Sequence, residues 1–389
     1  MERNEARLLR SGNPWLYGLL RVARFAGPVT KVPRLGWVVT DPVVARRVLN
    51  DPSAFSMSGE GGVGHLWSQL FGAEMAELFD GSRHTEVRTR ARDLFTESAA
   101  ARLVERSQGA HYRDLAGRLA AGETVDVAVS ARVLAGRMVA DLLGLSLGPD
   151  DAAYAEVFAA GERLAALALG TASSTHVSGV KVAEARAIAA DLTRAVPAAY
   201  ASAGPDTILG RCREMGLGLD LTRGLATLLS VAGTETGASG TSRTVALLHD
   251  TRQIGLLLAS PELMDSAVRE GLRVSTPAPV IGRHVAADVT VAGRRMRAGE
   301  RVVMLTYLAN NGIGPFDITS PYVPETRQLW FGGGRHLCLG AAVARLQVTR
   351  MLQTLTAEGR PWEVVSRQPV RRALVPAYAS LRVRLVWPG

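Results

Sequence analysis

Residues 331–340 read Phe331-Gly332-Gly333-Gly334-Arg335-His336-Leu337-Cys338-Leu339-Gly340, and an apolar-periodic stretch, AAVARLQVTRMLQTL, follows directly. Its periodicity predicts a helix from Ala341 onward. Three successive glycines allow the backbone conformations of a tight loop and let the chain approach a flat ligand closely. Cys338 then falls near the start of that helix, where the dipole and unpaired N–H groups favour thiolate over thiol. A phosphate loop is the obvious rival, but no Gly-Lys-Ser/Thr follows the glycines. A glycine turn that merely buries a cysteine is the other reading of these ten residues.

The only other cysteine is Cys212, so the chain of 389 residues can hold at most one disulfide. That excludes a disulfide-built secreted scaffold, and it excludes zinc fingers and thiolate clusters, which need three or four soft ligands. If Cys338 has a role, it acts as a single thiolate. With 47% apolar residues the chain can bury a sizeable core. The net charge is +9, and Lys31 and Lys181 are the only lysines, so the excess is arginine. Such a balance fits nucleic acid, a membrane surface or an acidic protein partner, with GC-rich coding as the competing explanation. The arginines are spread along the chain, without a basic tail or an aromatic-interleaved stripe, which points away from nucleic acid. No run approaches the ~18 apolar residues of a membrane span, and the N-terminus, MERNEARLLRSG, lacks a secretory apolar region. The expectation is a soluble, cytoplasmic protein.

Near the N-terminus, WVVT reads as a strand that leads through Asp41-Pro42 into a helix, VVARRVLN. A Gly-rich, apolar-studded stretch runs from Ser56 to Phe79. From about Arg83 to Leu248 one helical pattern follows another, with breaks at Gly122, Gly148-Pro149, Ser173–Ser178 and Gly204-Pro205. DVTVAGRRMRAGERVVML (288–305) reads as a hairpin pair and SLRVRLVW (380–387) as a closing strand. The fold class is mainly α, an α-rich α+β fold with the β component at the two ends, forming one domain over residues 1–389.

Two further patterns stand apart. In SPELMDSAVREGLRV, Glu270 and Arg273 are three residues apart and so share a helix face. Residues 221–248, LTRGLATLLSVAGTETGASGTSRTVALL, contain no proline and predict a long central helix. Gly233 and its hydroxyl-bearing neighbours weaken that helix locally. Read alone, the first is a surface ion pair and the second a polar exposed turn.

Taken in order, these patterns resemble the cytochrome P-450 family in its soluble bacterial form. The pattern F-x-x-G-x-x-x-C-x-G, filled by Phe331, Gly334, Cys338 and Gly340, resembles that family's heme-ligand loop. The resemblance makes Cys338 the axial ligand of heme b, with Phe331 against the sulfur and Gly332 and Gly340 in the loop. It makes Glu270 and Arg273 a buried pair bracing the core behind the loop. It places Ala232-Gly233-Thr234-Glu235-Thr236 over the heme at a helix kink, with Glu235 relaying protons and Thr236 holding the water that delivers them to bound dioxygen. DGSRHTEVRTRARDLFT resembles the helix that meets the heme propionates, with His84 and Arg88 four apart on one face. Arg283, Arg335 and His336 stand at or beside matching propionate positions, where charge-assisted bonds to carboxylates are the physical need. The matches run from residue 80 to 350, and the architecture fits the remainder.

The likeness is poorest between Ala309 and Phe331. Asn311 replaces the arginine of the family's turn, and Ser320 stands where an arginine completes a triad with Glu270 and Arg273. Arg327, brought near by a short insertion, is the candidate substitute, and Gln328 takes a common propionate-histidine position. Without a substitute, Glu270 loses a partner, and a half-paired buried charge costs several kcal/mol.

Substrate contacts are expected from His65, Trp67, Leu70 and Phe71, from Val231, and from Val280 in the Pro277–Ile281 segment, lining a largely apolar pocket. The same residues could instead pack their segment against the body. The resemblance implies a monomeric monooxygenase that takes O2, electrons from ferredoxin and ferredoxin reductase with NAD(P)H, and a medium-sized apolar molecule. Arg88, Arg90, Arg92, Arg335 and Arg345 would form the docking face for an acidic ferredoxin. The arginine-rich composition associates the chain with actinobacterial secondary metabolism, with no nucleic acid or membrane involved. Oxidative cyclisation, coupling, desaturation or nitration at the same site is the second reading, and a heme sensor or carrier without turnover the third.

Overall fold

The computed structural model describes residues 3–168, 176–324, 329–373 and 375–387. The chain opens with helices α1 (Arg3–Gly12) and α2 (Pro14–Ala23), strands β1 (Val29–Val32) and β2 (Gly36–Val39), helix α3 (Pro42–Asn50) and the short strand β3 (Phe55–Ser56). Then come α4 (Val63–Phe71), α5 (Ser82–Ala91), α6 (Glu97–Ala120), the two-residue β4 (Val125–Asp126), α7 (Val127–Leu143) and α8 (Asp151–Ala168). After these follow α9 (Gly179–Leu192), α10 (Val196–Ser202), α11 (Ile208–Glu214), α12 (Leu219–Asp250), α13 (Ile254–Ala259) and α14 (Met264–Ser275). Strands β5 (Ile281–Val285), β6 (Val289–Val291), β7 (Arg294–Met296) and β8 (Arg301–Met304) precede α15 (Thr306–Asn311), α16 (Ala341–Thr356), β9 (Trp362–Pro369) and β10 (Tyr378–Leu385). The α-rich expectation matches this architecture. Among the described residues no helix is long and apolar enough to cross a membrane.

Local chemistry starts several helices, α3 among them where the sequence reading placed it. Asp41 accepts the Val44 N–H with Pro42 in the first turn, and Thr96 accepts from Ala99. Asp126 does more. One of its oxygens caps α7 through Ala128 and Val129 and also takes the Leu381 N–H, while the other accepts from Ser380 Oγ. A single carboxylate thus ties the start of α7 to β10. Gly144, in the left-handed region at φ 86°, ends α7.

Most strands lie toward the two ends of the chain, as expected, and they combine across it. One five-stranded sheet, ordered β1-β2-β8-β5-β3, joins strands from both parts of the chain, with β2 and β8 parallel at Trp37↔Val302. Only β6 and β7 form the expected hairpin. Arg301–Met304, read as part of it, crosses into the larger sheet instead. Strand β5 was not foreseen, because its sequence Ile-Gly-Arg-His-Val breaks the apolar alternation with two polar residues. One of those residues, Arg283, belongs to the site.

Helix α12, about 48 Å long by its 32 residues, runs through the main core. It is buried on most sides yet rich in hydroxyls. Thr227, Ser230, Thr234, Thr241, Ser242 and Thr244 each donate to the carbonyl four residues back, which satisfies them within the helix. The helix is continuous across Gly233, where the sequence predicts local weakening. Near its C-terminal half, fully buried Arg243 pairs with Glu5 of α1 and donates to the Pro376 carbonyl, joining the N-terminal helix, the central helix and the approach to β10.

Removing one member of this pair strands the other charge in the core. Glu5→Ala is expected to lower the unfolding free energy by about 3–5 kcal/mol, read from urea denaturation. Replacing both residues with apolar ones is expected to recover most of the loss. A single variant within 0.5 kcal/mol of the parent, a roughly surface-like effect, would contradict this account.

Candidate functional site

The ligand loop closes on itself. The Cys338 N–H donates to the Phe331 carbonyl at 2.9 Å, Gly332 N–H to Leu329, and Leu337 N–H to Gly334. Gly332 and Gly334 both have positive φ, and a Cβ on Gly334 would lie 2.2 Å from the Leu49 carbonyl oxygen, so the loop presses against the end of α3. Cys338 stands before α16, whose N-cap is Gly340, and its residue surface is open to solvent. The thiol is nonetheless crowded by protein. Burial pushes its pKa up, against lowering influences from the Gly340 N–H, Arg88 and Arg345. The helix start therefore does not by itself give a thiolate, as the sequence had suggested. A bound metal cation would supply what is missing, because coordination deprotonates a thiol outright.

A cationic cradle lies beside the loop. His84 is buried on α5, and its ring centroid is 4.6 Å from that of His336. Arg335 Nη2 is 3.2 Å from His84 Nδ1 and 3.2 Å from the Asp80 carbonyl oxygen. Arg88 donates to the Leu337 carbonyl. Arg283, 4% exposed, donates only to the carbonyl of its own neighbour, Gly282. Burial brings Arg283 down to about 10, and burial with the charges of His336, Arg335 and Arg88 brings His84 down to about 4. One carboxylate faces the group. Asp80 accepts from the N–H groups of Met57 and Ser58 and lies 3.3 Å from His336 Nε2, and these bonds hold it well below the usual carboxylate range despite its burial. Asp80 escaped the sequence reading, whose only signal for it was an acidic residue before a helix-starting Gly-Ser. Burial disfavours charge on the two histidines, and three arginines against one acid leave positive charge that two further carboxylates would neutralise.

The Glu270–Arg273 pair is buried as expected, with Arg273 donating at 2.9 and 2.7 Å to the two carboxylate oxygens. Its remaining N–H groups reach the carbonyls of Asn310, Gly314 and Pro315. Backbone carbonyls thus complete the arginine, and the pair is matched one charge to one. Asn311 ties the turn down by donating to the Val274 and Tyr307 carbonyls. The Ser320 carbonyl accepts from Arg269. Arg327 and Gln328 lie outside the described residues.

On α12, Ala232 is exposed and Gly233 and Thr236 half-buried, in the middle of a helix that is otherwise largely buried, so this turn faces a cleft. Thr236 Oγ1 donates to the Ala232 carbonyl at 2.9 Å. Glu235, 9% exposed, is pushed up to about 8 by burial and by the nearby charge of Glu162, with Arg132 opposing. Leu70, Phe71 and Val231 share one apolar cluster with Leu164 and Val177, and Trp67 stacks on Phe71 at 5.0 Å. Val280 is elsewhere, packed with Leu16, Leu305 and Tyr307, and His65 joins none of these clusters. Of the five proposed docking arginines, Arg88 and Arg335 are turned into the site and Arg345 pairs with Glu97. Arg90 and Arg92 remain exposed, beside an open groove of about 480 Å³ lined also by Thr89, Asp93, Thr96 and Arg211.

No family model matches the chain. It is 40% identical over 135 residues to cytochrome P450 105A3 of Streptomyces carbophilus, covering 33% of each chain. It is 36% identical over 156 residues to the vitamin D3 dihydroxylase of Streptomyces griseolus, covering 39% of this chain and 36% of that one. The matched stretches thus span little more than a third of the curated relatives. In three dimensions the likeness is nearly complete. The crystal structure of P450BioI in complex with an acyl carrier protein ligated to hexadec-9Z-enoic acid superposes with a TM-score of 0.76 at 23% identity, covering 98% of this chain and 100% of that one. The fold is that of the cytochromes P450, and the sequence is similar to their bacterial members. Heme b is that family's cofactor, and the residues here fit it: one sulfur ligand on a rigid loop and a cradle short of two anions.

The raised pKa of Glu235 has a measurable sign. The native state keeps a proton that the unfolded chain releases above about 4.5, so this group's stabilisation is full below that pH and is lost as pH rises to about 8. Glu235→Gln is expected to melt at the parent's temperature near pH 4 and above it at pH 8. Parallel melting curves across that range would contradict the assignment.

Proposed function

We propose that the protein is a heme-thiolate monooxygenase that inserts one oxygen atom of O2 into a medium-sized apolar molecule, most simply by hydroxylation or epoxidation. The observation that carries the proposal is the pairing of a lone cysteine, its N–H locked to the Phe331 carbonyl, with a cradle of three arginines and two histidines. Cys338 would ligate the iron, and His84, Arg88, Arg283, Arg335 and His336 would hold the propionates. A heme iron ligated by thiolate supplies the activation of dioxygen.

The rest belongs to the chain's own side chains. Glu235, protonated at neutral pH, can give a proton to the cleft. The Thr236 hydroxyl already donates to the helix, so its oxygen is free to accept a hydrogen bond from a water and hold it. Leu70, Phe71 and Val231 give the substrate an apolar wall. The relative named for vitamin D3 supports a substrate of that size and polarity. A role in secondary metabolism is consistent with these choices.

Electrons come in this proposal from an acidic ferredoxin with its NAD(P)H-linked reductase, docking over Arg90, Arg92 and the adjoining groove. Arg90→Glu with Arg92→Glu is expected to raise the KM for ferredoxin roughly tenfold at low salt, with the difference shrinking as salt rises. An unchanged, salt-independent KM would move the docking face elsewhere. The reaction itself is tested by oxygen uptake with ferredoxin, reductase and a substrate that perturbs the heme spectrum. Thr236→Ala is expected to keep oxygen uptake and lose most product, and unchanged coupling would contradict Thr236's role.

A further inference from the structure

Arginines are spread along the chain, but acids are not. Residues 6–40 hold Arg7, Arg10, Arg21, Arg24, Lys31 and Arg34 and no aspartate or glutamate, so this stretch carries +6 of the net +9. Lys31 pairs with Glu300, and the five arginines have no acidic partner among the described residues. At the centre of the stretch lies α2, whose inner face is packed: Leu16, Leu20 and Ala23 are buried with Val38, Leu305 and Tyr307. Its outer face is apolar as well. Trp15, Val22 and Phe25 are 56%, 74% and 78% exposed. With Gly18 they recur every three or four residues, which sets them in one row along the helix and the turn that follows it. A Cβ on Gly18 would meet nothing within 4 Å, so the row is open there. Arg21 and Arg24 are exposed beside it, and the Arg24 guanidinium stands 4.4 Å from the Phe25 ring centroid.

We propose that this face of α2 seats on an anionic lipid surface, with Trp15, Val22 and Phe25 entering the headgroup layer and Arg21 and Arg24 meeting lipid phosphates. A headgroup layer receives protruding side chains without preformed pockets, whereas a folded partner must match each of them in shape. Lipid phosphates also balance cations that no acid of this stretch balances, and apolar burial and charge attraction reinforce each other at such a surface. The attachment is peripheral, since no described helix is long and apolar enough to span. It departs from the expectation of no membrane involvement, because the acid-free stretch concentrates charge that the whole-chain balance hides. A medium-sized apolar substrate partitions into lipid, so attachment raises the concentration that the site meets. That consequence rests on the monooxygenase reading, and the attachment itself does not.

Co-sedimentation of the purified protein with vesicles tests the attachment. The protein is expected to bind vesicles of equal parts phosphatidylcholine and phosphatidylglycerol about tenfold more tightly than phosphatidylcholine alone, and less tightly as salt rises. Trp15→Ser with Phe25→Ser, and separately Arg21→Glu with Arg24→Glu, are each expected to weaken binding about tenfold. All four side chains are exposed, so the melting temperature is expected to stay at the parent's. Gly18→Leu adds an apolar side chain to the open row and is expected to tighten binding severalfold, a gain that a loss of folding with its lowered melting temperature would not match. Arg90→Glu with Arg92→Glu, which leaves α2 intact, is expected to change binding little. Protein that stays in solution beside the anionic vesicles would overturn the proposal and leave the face to a protein partner. Binding insensitive to the α2 substitutions, or weakened equally by the Arg90 and Arg92 pair, would reduce the effect to net charge and overturn it too.

Discussion

The site is organised by positive charge that the described residues leave unbalanced. Arg283 is placed by the central pairing of β5 with β8, His84 and Arg88 by one face of α5, and Arg335 and His336 by the glycine loop. Three unrelated pieces of chain thus deliver cations to one place, where burial disfavours charge. Asp80 offsets one of them and pins His336 to the 57–58 backbone. Such an arrangement is a poor solution for folding alone. It becomes a good one when an anionic ligand with two carboxylates sits against it, and the same loop presents the sulfur.

The brace behind the loop is solved in this chain's own way. With Asn311 in the turn, Arg273 spends its spare donors on three backbone carbonyls, and Asn311 closes the turn onto the end of α14. Charge–carbonyl bonds of this kind hold geometry without adding a second cation to the core. This departure lies where the sequence departs most from the family pattern, yet the fold superposes over nearly the whole chain. The buried Glu5–Arg243 pair adds a second anchor in the C-terminal half of α12, where Gly271 of α14 also packs against Thr244.

Much of the site was legible because it is written in short, local patterns. Cys338, the glycines around it, and the Glu270–Arg273 spacing each lie within one loop or one helix turn. The central helix was legible from its length without proline, and its hydroxyls satisfy themselves along the helix. What escaped the sequence depends on where separate segments meet. In the five-stranded sheet β2 and β8 carried strand signals, whereas β1, β3 and β5 are too short or too polar to announce themselves, and the pairing that joins the two ends of the chain is not local. Asp80 acts through backbone groups more than twenty residues away. The docking arginines looked alike in sequence, and only their partners separated Arg90 and Arg92 from Arg88, Arg335 and Arg345.

The central claim is that Cys338 is the ligand of a heme iron, and one spectrum addresses it most directly. Reduced protein exposed to carbon monoxide is expected to show the strongly red-shifted Soret band that thiolate ligation produces, and Cys338→Ala is expected to abolish it. A histidine-type band, or purified protein that neither carries nor takes up heme, would contradict the account.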